Sequence, residues 1–163
     1  MAARGVSAAL RRLLEQRRLL KADLGEEAIA KELDGATYDL QRSKTSLAES
    51  DFKWATIKGY YSMFHGARAL LYAAGYRERS HAALLTALRE LYVKPGTLAE
   101  DLLGDFENAM SLREEADYAM NFSEDGSRRV VGDAGRFLQA AKESLKAMRQ
   151  TKDSDKRAEN GND

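Results

Sequence analysis

Arg113 and Asp117 stand four residues apart in the stretch LREEADYAM, Leu112 to Met120, with Tyr118 next in line. On a helix that spacing puts the guanidinium and the carboxylate on one face. They can tie to each other as an ion pair, or the fork of Arg113 can hold phosphate oxygens while Asp117 orients it. A second group lies in GYRERSH, where Arg77, Arg79 and His81 follow a glycine and open a helix. Such a turn suits a phosphate held by backbone N–H groups and guanidinium forks, and equally suits a solvated turn. His65 shares a helical stripe with Lys58 and Ser62, away from the stripe of Ile57 and Phe64. It reads as a surface or interface group, since no obvious neighbour orients it. The aromatic set Phe52, Trp54, Tyr60, Tyr61 and Phe64 follows helical periodicity and reads as core, not as a stacking platform.

Other chemistries are excluded by residue type. The 163 residues include no cysteine, which removes disulfides, thiolate metal sites and cysteine nucleophiles. Two histidines do not make a histidine-rich metal cage. No glycine-rich phosphate loop, zinc spacing or serine-nucleophile motif is present, so neither a metal nor a cofactor is expected. The 26 Lys and Arg balance 26 Asp and Glu, so net charge does not mark an obligate nucleic-acid or membrane binder. No apolar run approaches the ~18 residues needed to span a bilayer. The opening MAARGVSAALRRLLEQRRLL disperses its arginines and lacks a separate apolar core, which makes it a poor signal peptide. The expectation is a cytoplasmic protein with no membrane contact.

The elements that must position these residues are helices throughout. One proline, Pro95, and few glycines interrupt the periodic segments. Residues 6–22 form a basic amphipathic helix that Gly25 ends, so residues 1–25 are read as an N-terminal addition. Residues 26–150 are read as the bundle. Ile57, Tyr60, Phe64, Ala67, Leu71 and Ala74 make a buried stripe, capped by Asp51 at the start and Gly75 at the end. Ser80 caps a short helix before Pro95, a longer one runs from about Leu98 to Tyr118, and Ser123 caps the last, which ends near Met148. The tail at 151–163 has too little apolar surface to fold and is expected to be disordered. No run of β-branched alternation predicts a strand. The fold class is all-α: an up-and-down bundle of four core helices, an extra N-terminal helix, and a short helix between the second and third long ones.

GYYSMFHGARALLYAAGYRERSH, followed about 30 residues later by LREEADY, resembles the HEPN domain family (higher eukaryotes and prokaryotes nucleotide-binding). The likeness covers about Leu33 to Met148 and is to small stand-alone prokaryotic members, often encoded beside a minimal nucleotidyltransferase. It implies a helical bundle that dimerises and sets two motif helices across a two-fold cleft. In many members an arginine, four to six residues and a histidine make a metal-independent ribonuclease. In the toxin branch the order is arginine, four residues, tyrosine, one residue, histidine. Placed on this sequence, Arg113 matches the arginine, Tyr118 the tyrosine, and Met120 stands in the histidine position. A thioether has no titratable proton, so Met120 cannot handle protons around an attacking hydroxyl.

The resemblance therefore implies a non-catalytic homodimer that binds a nucleotide or RNA and acts with a nucleotidyltransferase partner. Arg113 would contact phosphate, Asp117 orient it and Tyr118 stack or hydrogen-bond, with Arg77, His81 and His65 as further candidates. The alternatives are a ribonuclease toxin that recruits His65 or His81, and a helical adaptor. Phe106, Met110 and Met120 are expected near the dimer contact.

Overall fold

The computed structural model describes residues 5–161. Its elements are α1 (Ala8–Glu15), β1 (Leu19–Lys21), α2 (Gly25–Ala48), α3 (Phe52–Ala73), β2 (Tyr76–Glu78), α4 (His81–Leu88), α5 (Glu100–Tyr118) and α6 (Glu124–Asn160). A π-helical turn over Arg89–Val93 continues α4. The starts follow local side-chain chemistry. Ser7, Asp51, Ser80 and Ser123 each accept a bond from a backbone N–H three residues on, which satisfies one orphan donor of the helix they precede.

α3 is the central helix and packs against α2, α5 and α6. Two features let it sit so deep. Its apolar residues run round much of the helix, with Tyr60, Met63, Ala67, Leu70 and Leu71 all solvent-free. Gly59 also lets α6 approach, since a Cβ there would meet Val130 Cγ1 at 2.9 Å. Phe106 of α5 and Phe137 of α6 complete the core, their ring centroids 5.6 Å apart. The four long helices with α1 outside and α4 between the second and third are the all-α bundle read from the pattern. Among the described residues no helix is long and apolar enough to cross a membrane.

Four expectations change. The N-terminal helix stops at Glu15 and does not reach residue 22. Arg17 turns to φ 55°, and its N–H and that of Arg18 bond back to Leu14 and Leu13, which closes the helix. The chain then forms a strand where none was expected: Leu19, Leu20 and Lys21 pair antiparallel with Glu78, Arg77 and Tyr76. Three residues are too few to show alternation, so only the long-range pairing makes this ribbon. Residues 151–160 are helical where disorder was expected, although every one of them is exposed. Extending an existing helix avoids the nucleation cost, and Asp153 and Arg157 have favourable i,i+4 spacing. Residues 162 and 163 lie outside the described residues. Finally, Phe106 is fully buried against Tyr60 and Phe137, so it cannot face a partner, whereas Met110 is half-buried and Met120 exposed.

Candidate functional site

The site forms where α4 and α5 meet the aromatic face of α3. After the turn at Gly75 the chain runs back along α3, so the first residue of α4 lands beside the middle of that helix. His81 Nδ1 lies 3.0 Å from the hydroxyl of Tyr60, and its ring centroid lies 5.0 Å from that of Phe64. Tyr60 is fully buried, and burial raises its pKa, so the hydroxyl keeps its proton. A buried hydroxyl must donate, and Nδ1 is the acceptor it has. We therefore assign the neutral tautomer in which Nδ1 accepts and Nε2 carries the hydrogen. Burial lowers the His81 pKa below the ordinary histidine value, and the Arg113 charge lowers it further. At neutral pH His81 is an uncharged donor.

Arg113 reaches the same aromatic column from α5. Its Nη2 donates to the Tyr61 hydroxyl at 2.9 Å, and the guanidinium lies 5.2 Å from the Tyr60 ring and 5.4 Å from the Tyr61 ring. Its Nε is buried without a hydrogen-bond partner. No ion pair joins it to Asp117, which is exposed. The i,i+4 spacing is present, but the long arginine side chain turns inward to the tyrosines. Tyr61 takes the orienting role expected of Asp117. Among the described residues Arg113 makes no ion pair.

His65 lies on the other side of Phe64, with ring centroids 5.9 Å apart. It is not a solitary surface group. Nδ1 lies 2.6 Å from Glu32 Oε2 and Nε2 lies 3.6 Å from Asp39 Oδ2, both on α2. Gly35 makes room for the ring, whose atoms would touch a Cβ there at 3.4 Å. Burial raises the Asp39 pKa, opposed by His65 and Lys58. Glu32 also pairs with Arg68 at 3.3 Å, and Arg68 Nε lies 2.9 Å from Glu78 Oε1. Arg68 further contacts the Tyr72 hydroxyl and stands 5.4 Å from the Phe64 ring.

Of the candidate residues, Arg113, His81 and His65 thus gather around Tyr60, Tyr61 and Phe64. Arg77 lies exposed on β2, opposite Leu20. Asp117 and Tyr118 stay outside at the end of α5, with Tyr118 78% exposed. Met120 follows α5 at φ 52° and is exposed. Tyr60 and Tyr61 were legible only as core, and Glu32, Arg68 and Glu78 were assigned no role. One signal could have found the first pair. In an antiparallel hairpin, positions equidistant from the Ser50–Asp51 turn fall abreast, which sets Glu32 opposite Arg68.

A helical bundle carrying an arginine and a histidine on an aromatic seam defines the class. The HEPN domain pattern matches residues 29–150, and the chain belongs to that family. A Methanocaldococcus jannaschii protein named "putative toxin" is 26% identical over 131 residues, covering 80% of this chain and 97% of that protein. A UPF0332 protein of Archaeoglobus fulgidus is 33% identical over 92 residues, covering 55% of this chain and 73% of the relative. The crystal structure of a Thermus thermophilus protein superposes with a TM-score of 0.61 at 18% identity, over 71% of this chain and 97% of that one. That last likeness concerns the fold alone.

Proposed function

We propose that this HEPN protein binds the phosphate of a nucleotide or RNA without cutting it, as a cytoplasmic homodimer acting with a nucleotidyltransferase partner. The observation that carries the binding reading is the convergence of Arg113 and His81 on Tyr60 and Tyr61, with His81 Nδ1 committed to Tyr60. A phosphate oxygen would accept from the free edge of the Arg113 fork and from His81 Nε2–H. The same tautomer argues against cleavage. A neutral imidazole whose Nε2 already carries hydrogen cannot take a proton from a 2′-hydroxyl, and Met120 has none to exchange. Without a positioned base, general acid–base catalysis forfeits ~10²–10⁴ in rate. The dimer is supported by the exposed apolar side chains Trp54, Tyr118, Met120 and Phe122. Thr56 of α3 and Phe122 of the α5–α6 loop line one small cavity, so these side chains cluster at one end of the bundle. The nucleotidyltransferase partner rests on the family resemblance.

The name of the Methanocaldococcus relative favours a second reading, a ribonuclease toxin using His81. One experiment separates the two. Single-stranded RNA binding by fluorescence anisotropy should weaken in Arg113→Ala by about 1.5–3 kcal/mol, the worth of a charge-assisted contact. The RNA should stay intact throughout. Wild-type cleavage that disappears in His81→Ala would replace this reading with the toxin. Unchanged binding in Arg113→Ala would leave an adaptor.

A further inference from the structure

Two groups of arginines in this chain contrast. Arg128, Arg129, Arg136 and Arg149 of α6 each lie within ion-pair distance of a carboxylate. Arg17, Arg18, Arg77 and Arg79 are all exposed, and none makes an ion pair among the described residues. These four are gathered by the β1–β2 ribbon. Arg79 N donates to Arg18 O at 2.9 Å, which sets the two arginines across from each other at the ribbon's open end. Arg17 adjoins them in a left-handed turn, and Arg77 is exposed two pairs along, opposite Leu20. Glu78, the one acid of β2, turns inward to Arg68.

Like charges directly opposed across a strand pair destabilise it. Here the unfavourable placement is held by long-range pairing, and no acid relieves it. The location ties it to the site already described. Arg18 Nη2 lies 3.4 Å from the hydroxyl of Ser80, the residue before His81. The ribbon therefore continues the His81–Arg113 surface with fixed positive charge. Half of it comes from residues 17–21, which precede the segment matched to the family.

We infer that the ribbon arginines Arg17, Arg18, Arg77 and Arg79 form a second phosphate track, and that the site takes a single RNA strand several nucleotides long, not a mononucleotide. This rests on the phosphate-binding reading of Arg113 and His81. One phosphate sits at that pair, and its neighbours along the strand lie against the ribbon. A chain of net charge zero gains a locally basic strip where these four arginines sit together without an ion pair among the described residues.

The test compares two probes, a labelled oligoribonucleotide of about ten nucleotides and a ribonucleoside monophosphate, each over a salt series. For single strands the log–log salt slope is about −0.7 per phosphate neutralised, so Arg18→Ala/Arg79→Ala should make it shallower by about 1.4. Oligonucleotide affinity should fall roughly tenfold at low salt, with the monophosphate affinity unchanged. Arg113→Ala should weaken both probes. Arg18→Lys/Arg79→Lys should keep the slope, which separates charge from any folding defect. The inference is overturned if the double alanine variant keeps wild-type affinity and slope, or loses the monophosphate equally. Polyglutamate competing as well as RNA at equal charge would also overturn it, pointing to an acidic protein partner. If Arg113→Ala alters neither probe, the phosphate site itself is wrong, whatever the ribbon variants do.

Discussion

Two arginine–histidine sets flank Phe64, and they differ in what surrounds them. On the α2 side, His65 and Arg68 meet Glu32, Asp39 and Glu78, so each of the two side chains has a carboxylate within reach. On the α5 side, the close contacts of Arg113 and His81 are to tyrosine hydroxyls and aromatic rings, and Glu78 and Glu114 act on His81 only from beyond ion-pair distance. The same residue types thus make a closed polar clamp in one place and an open cationic surface in the other. The clamp uses its carboxylates in holding α2 to α3 and β2. The open pair retains donors and uncompensated charge, which is what an anionic ligand needs. Residue type alone did not separate them; carboxylates at ion-pair distance did.

The largest expected effect tests the clamp. Glu32→Ala leaves His65 and Arg68 partly buried without their shared acid, and should cost about 2 kcal/mol, less than the loss for a fully buried pair because solvent reaches both. Urea unfolding should show a lower midpoint at unchanged m-value. RNA binding normalised to folded protein should stay near wild type. If Glu32→Ala instead abolishes binding at small stability cost, the assignment of roles is reversed.

Tyr60→Phe sharpens the other side. It removes the hydroxyl that commits His81 Nδ1, at about 1 kcal/mol for a lost hydrogen bond. Nitrogen-15 NMR of the imidazole should show one dominant tautomer in wild type, with hydrogen on Nε2, and a mixture in the variant. A wild-type spectrum with hydrogen on Nδ1 would make His81 Nε2 a free base and favour the ribonuclease reading.

The smallest effect is a pH dependence. The folded His81 pKa lies below its unfolded value, chiefly through burial. In the window between the two values the unfolded chain binds more protons, so stability is full above the unfolded histidine value and declines as pH falls through the folded one. His81→Asn should remove that component of the acid-side decline in urea midpoint. An unaltered pH profile in the variant would show that His81 does not titrate as a buried group.

Much of the bundle was written in local chemistry. Asp51, Ser80 and Ser123 cap the helices they were read to cap, because a cap needs only its own side chain and an N–H three residues away. The burial of α3 followed from its apolar stripe, and the family from the ordered set between Tyr60 and Tyr118. Arg113, His65 and His81 were recognisable as candidates by type. Their partners were not. His81 meets Tyr60 from 21 positions away, and Arg113 meets Tyr61 from 52. Such contacts depend on how far each helix is rotated and where the chain returns after Gly75, which periodicity leaves free. The same holds for the β1–β2 ribbon, whose three-residue strands have no pattern of their own. Sequence determined where the capped helices of the bundle begin and which residues carried charge. Tertiary structure decided which charges were neutralised, because neutralisation is a matter of distance between segments that local rules do not relate.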